Sequence, residues 1–394
     1  MGLWNDLKQQ QLSAWQPVVT APNVAICFVI IGIICCPIGV LIEVSNQRAG
    51  ELSLRYDNIH KCTGKNNMGS FTFGTGALQL KTGCQTSVDF VLNETLRAPV
   101  NLYYGLTRFY QSHRSALNSR SDKQLMGIPV RHIPDAAPFV NPGDINGMLD
   151  TPITFFNTTT VKYADMVYVP AGLIAWYMFN DTFTLYKLEG EGASAIRTLV
   201  CNGTDFSRST NLPLNGSRTA NLCKKKGIAW SSDVRDRFKA PNIELSQRVW
   251  TAGYEAYNGV PQVPPPSNDT FFNNGWYAGE IGHAIPVTTD EDFIVWMRSA
   301  SLPHFHKLYR VIETDLHPGR YTMEIAEHFD VTTFSGTKTF TLASVSWLGG
   351  RNKVLGMTYF FVAAMAFSFA ALLFCSHRLC QHRAARCIED LVNK

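Results

Sequence analysis

Three groupings of residues have the side-chain types for chemistry. His304 and His306 form a His-x-His pair, which on a strand would put two imidazoles on one face, as two metal ligands require. No third ligand stands at a recognisable spacing, so both read as surface histidines. Glu291-Asp292 could be an acid/base pair, but neighbours on a strand point to opposite faces, and a solvated turn is expected there. Arg235, Asp236 and Arg237 read as surface ion pairs. The sequence carries no GxxxxGK[ST] phosphate loop, no His-Glu-x-x-His zinc helix and no Gly-x-Ser-x-Gly elbow; an Asp-Lys-Thr-Gly phosphorylation motif is also missing. The expectation is a chain with no catalytic residues, no metal and no cofactor.

The chemistry that remains belongs to amide and thiol groups. Asn93, Asn157, Asn180, Asn202, Asn215 and Asn268 each open an Asn-x-Ser/Thr triplet without proline in the middle. Such acceptors have meaning only in the secretory lumen or outside the cell. Of ten cysteines, Cys62, Cys84, Cys201 and Cys223 share this stretch, an even number in a compartment that permits disulfides. Four cysteines allow three connectivities. The local one, Cys62–Cys84 with Cys201–Cys223, is expected, each bridge contributing roughly 3 kcal/mol on the chain-entropy model. Cys27, Cys35 and Cys36 lie in an apolar run and read as small hydrophobes. Cys375, Cys380 and Cys387 stand among basic residues, as inert thiols or as sites of palmitoylation.

The elements that hold these groups are set by two apolar segments. Residues 24–42 and 354–376 are free of charge, and Glu43 ends the first. Each exceeds the roughly 18 residues that mark a membrane-spanning helix. The first is longer than the apolar core of a cleaved signal peptide and follows a tail with little positive charge, so it reads as an uncleaved anchor. Arg378, Arg383, Arg386 and Lys394 follow the second span, which places both tails in the cytosol and the loop on the exoplasmic side. The expected layout is a cytosolic tail (1–23), a first span (24–44), a glycosylated and disulfide-bonded ectodomain (45–350), a second span (351–376) and a second cytosolic tail (377–394). It describes an integral membrane protein of the secretory pathway, bound for Golgi, endosome or plasma membrane.

The net charge of +4 is dispersed, without a basic run for nucleic acid. Within the ectodomain, Tyr321, Met323 and Ile325 alternate as in a half-buried strand, and residues 340–347 do so less cleanly. Tyr103, Leu106, Tyr110 and Leu117 have helical spacing, residues 293–296 fit helix or strand, and Val263-Pro264-Pro265-Pro266-Ser267 is a stiff surface loop. The fold class is two transmembrane helices flanking a large, mainly antiparallel, sandwich-like β ectodomain with a few short helices. Neither span carries the ionisable residue of a transporter core. Small residues recur instead: Gly32, Cys36 and Gly39 on the first span, beside Pro37, and Ala363, Ala366 and Ala370 on the second. Such stripes let helices approach closely, against a partner protein or simply against each other.

Longer blocks carry a resemblance. They include Gln9-Gln10-Gln11-Leu12-Ser13-Ala14-Trp15-Gln16-Pro17, Ala98-Pro99-Val100-Asn101-Leu102-Tyr103-Tyr104-Gly105-Leu106 and Ser119-Arg120-Ser121-Asp122-Lys123-Gln124-Leu125. Met178-Phe179-Asn180-Asp181-Thr182-Phe183, Glu291-Asp292-Phe293-Ile294-Val295-Trp296-Met297-Arg298 and Val345-Ser346-Trp347-Leu348-Gly349-Gly350-Arg351-Asn352 follow in order. Together they resemble the ligand-effect-modulator / cell-division-cycle family of accessory subunits of lipid flippases, over nearly the whole chain. The resemblance implies a non-catalytic β-subunit of a type IV P-type ATPase, needed for exit from the endoplasmic reticulum and for the cycle that moves phospholipid to the cytosolic leaflet. It also implies that Asn180 lies in a sequon typical of the family. Trp15 and Pro17 would then touch the ATPase on the cytosolic side, and the small stripes would touch it within the membrane. Where relatives read Pro-Cys-Gly, this chain has Pro170-Ala171-Gly172, and no cysteine stands between Cys84 and Cys201. Cys201 and Cys223 look like a replacement bridge. The rival readings are a two-span trimeric channel, for which the second span offers only Thr358 and Ser368 as pore-lining polar groups, and a two-anchor cell-surface receptor or ectoenzyme.

Overall fold

A computed structural model describes Lys8 and residues 20–57, 67–73, 76–82, 84–128, 130, 133–141, 149–150, 152–154, 160–190, 196–214, 221–240, 248–251, 286–329, 331–346, 349–350 and 353–392. The chain divides into two compact units, residues 1–49 with 346–394, and residues 50–345.

The first unit is a pair of helices. One runs Ala21–Arg48, with Pro22 in its first turn, where a missing N–H removes no helical bond, and Pro37 in its interior. The other runs Lys353–Val392 as one continuous helix, past the expected end of the second span. Residues 21–47 and 354–383 are long and apolar enough to cross a membrane.

Among the described residues, the second unit has fifteen strands. β1 (Glu51–Arg55), β2 (Asn67–Phe73), β3 (Gly76–Thr82), β4 (Cys84–Leu92) and β5 (Val100–Leu106) come first. β6 (Pro152–Thr154), β7 (Thr160–Lys162), β8 (Met166–Val169), β9 (Thr182–Glu189) and β10 (Ile196–Asn202) follow. β11 (Cys223–Lys224), β12 (Arg248–Thr251), β13 (Phe305–Ile312), β14 (Gly319–Glu327) and β15 (Lys338–Ser344) complete the set. A five-stranded antiparallel sheet has the order β1-β15-β5-β13-β11, and a four-stranded one β10-β9-β14-β4. β2–β3 and β6–β7 are antiparallel pairs, and β8–β12 is a parallel one.

One core joins the two large sheets. Phe340 of β15 packs on Phe90 of β4, with ring centroids 5.8 Å apart, and Tyr309 of β13 meets Phe183 of β9 edge-on at 5.1 Å. Trp176, Trp296, Tyr56 and Phe293 are fully enclosed beside them. Each such ring contributes roughly 1.5–3 kcal/mol of burial. The expected strand at Tyr321, Met323 and Ile325 is β14, and the one begun at Phe340 is β15.

The helical spacing of Tyr103 and Leu106 misled: both belong to β5, where Val100, Leu102, Tyr104 and Leu106 are buried at period two. Tyr103 and Leu106 match a helix only because they stand three positions apart, and the stronger alternation of their neighbours decides the element. Only Leu117 falls in a helix, the short one at Arg114–Asn118. The ambiguous run at Phe293 is helical (Glu291–Met297). Asp290 caps it, its carboxylate accepting the Asp292 N–H at 2.8 Å. Lys307 reaches the other end, its Nζ donating to the carbonyls of Val295, Trp296 and Arg298 at 2.9, 3.0 and 2.6 Å. Burial, and then the charge of Arg298, push the Lys307 amine down to about 7.

A buried ion pair ties four strand ends together. Lys338 and Asp181 are both fully enclosed, 2.8 Å apart. Asp181 also accepts from the Tyr56 hydroxyl at 2.7 Å and from the His328 and Phe329 N–H groups at 2.6 Å each. Lys338 Nζ donates in addition to Phe329 C=O at 2.7 Å and lies 3.1 Å from Glu327. Every donor and acceptor of the pair has a partner, as a charge without water requires.

The turn at Pro170-Ala171-Gly172 is held by hydrogen bonds. Ala171 is buried, and its N–H donates to Gln124 Oε1 at 2.8 Å, while Gln124 Nε2 donates to Tyr168 C=O at 2.6 Å. Ser119 Oγ accepts from Leu173 N–H at 2.8 Å and donates to Ala137 C=O at 2.7 Å. Both clasping side chains come from the Ser119-to-Leu125 block.

Candidate functional site

The sequence pointed to the spans, the sequons and the thiols, and the structure treats each differently. On the spans, Gly32 and Gly39 turn toward the second helix: a Cβ on Gly32 would sit 2.7 Å from the Phe367 ring, and one on Gly39 3.2 Å from Phe360. Ala363, Ala366 and Ala370 are buried along the same seam, and Phe28 packs on Phe369 at 5.8 Å. These five small residues therefore find their neighbours within the chain, which was the second of the two readings. Cys36 is exposed and lies off the seam. Trp15 and Pro17 lie outside the described residues. Thr358 and Ser368 each donate to the carbonyl four residues back, Val354 at 2.9 Å and Ala364 at 2.8 Å, and so satisfy themselves within their own helix. What both helices offer outward is apolar, with Ile33, Leu41, Phe361 and Leu372 among the most exposed side chains.

Among the sequons, Asn93 is exposed just past β4, whereas Asn180 and Asn202 are half-buried. Asn157, Asn215 and Asn268 lie outside the described residues, as does the Pro264–Pro266 loop. Cys201 and Cys223 form a disulfide of 2.04 Å, joining the end of β10 to β11. The Cys62–Cys84 pairing falls outside the side chains described. Cys27 and Cys35 sit in the first span helix, and Cys375 and Cys380 are exposed on the second; Cys387 lies beyond the described side chains.

The acidic pair Glu291-Asp292 is not a solvated turn. It opens the capped helix and is drawn inward by donors distant in sequence. Glu291 accepts the N–H groups of Gly227 and Ala229 at 2.7 and 3.0 Å. Asp292 pairs with Arg310 at 2.6 Å and Lys225 at 3.0 Å, and Lys225 also meets Asp290 at 2.6 Å. Arg310 reaches this cluster because β13 carries a bulge: Leu308 pairs with Tyr103 and Arg310 with Leu102, leaving Tyr309 unopposed. The extra residue turns both Tyr309 and Arg310 inward. The Arg310 guanidinium further donates to the carbonyls of Gly203 and Tyr309. Burial acts upward on Asp292, but Arg310 and Lys225 outweigh it and hold its carboxyl below the usual range. Asp290 has Lys225 and the Asp292 N–H against burial and the charge of Asp292, and is pushed up to about 6. These groups line a cavity of about 170 Å³ together with Trp176, Asn180 and Phe206. Opposed charges that neutralise one another in this way position a loop and a helix; they do not present a nucleophile.

The remaining candidates are superficial. His304 and His306 are exposed, and no group of three metal-ligating side chains occurs among the described residues. Arg235 pairs with Asp236 at 2.9 Å on the surface. Arg237 stands 3.8 Å from Asp233, which is held more closely by Arg298 at 3.1 Å. Sequence reasoning missed Lys225, Arg310, Asp181 and Lys338; as single residues they carry no signal, because each partner lies far along the chain.

Comparison with known proteins agrees with this architecture. Residues 42–383 match the model of the LEM3 (ligand-effect modulator 3) family / CDC50 family. Cell cycle control protein 50A of Mus musculus is 33% identical over 93% of this chain and 86% of its own length. Putative ALA-interacting subunit 2 of Arabidopsis thaliana is 31% identical over 94% of this chain and 86% of its own, and cell cycle control protein 50B of Homo sapiens is 29% identical over 91% and 88%. With a match running from the C-terminal end of the first apolar helix through the β unit and into the second helix as far as residue 383, this chain belongs to the LEM3/CDC50 family.

Proposed function

We propose that this chain is the non-catalytic β-subunit of a phospholipid flippase. It binds a type IV P-type ATPase as a heterodimer, supports its folding and its exit from the endoplasmic reticulum, and favours the states through which phospholipid passes from the exoplasmic to the cytosolic leaflet. The observation that carries this reading is family membership over residues 42–383, which take in the β unit and most of the second helix, together with relatives named as interacting subunits. Two helices with apolar outer faces and no ionisable pathway suit a protein that packs beside a transporter rather than one that transports. Binding to one conformational state stabilises that state by mass action, which is how a subunit without chemistry alters a catalytic cycle.

In this reading both tails are cytosolic and the β unit is exoplasmic, carrying glycans at its sequons. The seam residues Gly32, Gly39, Ala363, Ala366 and Ala370 act by fixing how the two spans sit together, so that Cys36 and the apolar outer faces meet the ATPase. Trp15 and Pro17 meet it on the cytosolic side. Affinity purification of the tagged chain in mild detergent is the test. A stoichiometric P-type ATPase whose phosphoenzyme formation falls when this chain is removed supports the reading. Recovery of the chain alone, or as a homotrimer, rejects it in favour of a receptor or a channel. Gly32→Leu should lower the yield of ATPase while leaving the Cys201–Cys223 bridge formed.

A further inference from the structure

We propose that Asn202 accepts an N-glycan only while the Cys201–Cys223 bridge is open, so that its occupancy records which of two covalent events came first. The inference rests on the exoplasmic placement of the β unit proposed above.

The triplet Asn202-Gly203-Thr204 begins at the last residue of β10, next to the bridged Cys201. Its backbone is engaged on every side. Asn202 N–H donates to Asn221 Oδ1 at 3.1 Å, and Asn202 C=O accepts from Asn221 Nδ2 at 3.0 Å. Gly203 N–H donates to Phe183 C=O at 2.9 Å, and Gly203 C=O accepts the Arg310 guanidinium. Thr204 turns both its N–H and its hydroxyl onto Asn202 Oδ1, at 3.1 and 2.8 Å. Gly203 also lies so close to the Tyr309 ring and the Phe183 carbonyl that even a Cβ has no room. Asn221 belongs to the loop that the bridge closes, two residues before Cys223, so bridge and clamp form together.

Glycosyl transfer needs the opposite state. Asn Nδ2 attacks the anomeric carbon of a polyprenyl-pyrophosphate-linked oligosaccharide. The new C–N bond replaces the C–O bond to pyrophosphate, which leaves with the electron pair, and Nδ2 releases one proton. The transferase must hold an extended triplet by its backbone and by its threonine hydroxyl, the groups that the fold has already taken. Asn202 Nδ2 has no part in the bonds above, so a glycan added earlier is compatible with the finished fold. The two events compete on similar times. Cys223 follows Cys201 by 22 residues, and synthesis at about 5–20 residues per second delivers it within seconds, the time on which disulfides begin to form. Asn93, exposed just beyond β4, has no such clamp and serves as the internal reference.

The test is mass spectrometry of the Asn202 and Asn93 glycopeptides of the full chain made in cells. Opening the bridge, by Cys201→Ser with Cys223→Ser or by a pulse of dithiothreitol during synthesis of the unaltered chain, should move Asn202 from minority to majority occupancy and leave Asn93 unchanged. Unchanged occupancy at Asn202 under both treatments, with Asn93 glycosylated, overturns the proposal. An equal rise at both asparagines also overturns it, since it reports slowed folding throughout and not a local race. Absence of glycan from both removes the exoplasmic placement and the proposal with it.

Discussion

Two knots of buried charge stand in the same β unit and are built on different plans. At Lys338 and Asp181 one cation meets one fully enclosed carboxylate, with the partly exposed Glu327 as a second partner of the cation at 3.1 Å, and the other lone pairs and protons go to a hydroxyl, a carbonyl or an N–H of a strand end. At Lys225, Asp290, Asp292 and Arg310 two cations meet two carboxylates beside a cavity, and one carboxylate is poorly compensated. The first has no substitute for its cation. In the second, loss of one cation leaves the other in place. A closed knot should therefore fail outright when cut, whereas an open one should loosen and respond to pH.

The largest effect is expected from the closed knot. Lys338→Met leaves the Asp181 charge buried and unpaired, and should lower unfolding free energy by about 3–5 kcal/mol. Asp181→Ala should be at least as damaging, because it also strands the Tyr56 hydroxyl and two N–H groups. Denaturant titration of the purified chain measures both. Next comes the bridge that anchors the loop of the open knot: Cys201→Ser with Cys223→Ser should remove about 3 kcal/mol. Arg310→Met should have a smaller effect, about 1–3 kcal/mol, since Lys225 still pairs with Asp292. If Arg310→Met proved as damaging as Lys338→Met, the distinction between the knots would be lost.

The smallest effect is the most diagnostic. Asp290 binds its proton more tightly in the folded chain (about 6) than in the unfolded one (3.8). Between those values the folded state holds the extra proton, so this group's contribution to stability falls as pH rises from about 4 to about 6, by on the order of 1–3 kcal/mol. Asp290→Asn keeps a capping side chain and should flatten that slope. A slope that survives the substitution would assign the titration to another group.

Long uncharged runs made the spans legible, because twenty apolar residues have few other uses. β14 was legible because one face of it is wet. β5 was not: Asn101 is the one clearly polar residue in its apolar run, so the period-two burial of Val100, Leu102, Tyr104 and Leu106 is hidden behind the helical spacing of Tyr103 and Leu106. The Cys201–Cys223 bridge could be read from nearness in sequence. Neither knot could, since Asp181 and Lys338, like Lys225 and Asp292, are joined only by the folded sheets, and a lone lysine in an alternating strand looks like a surface residue. Glu291-Asp292 looked like a turn for the same reason, its donors at Gly227, Ala229 and Arg310 being remote.

The pairing of the first and last strands has a mechanical consequence. β1 and β15 run antiparallel from the rung of Glu51 and Ala343, and Gly50 and Ser344 clasp just outside it through N–H to Oγ at 2.8 Å and N–H to carbonyl at 2.9 Å. The chain thus enters and leaves the β unit at one end of one ladder. A tension that drew its two ends apart would load that ladder one rung at a time, as a zipper, rather than shearing all five rungs at once. Gly50 and Ser344 are the zipper's first tooth, and the force at which they part sets the sideways strain that the β unit withstands before its sheet begins to open.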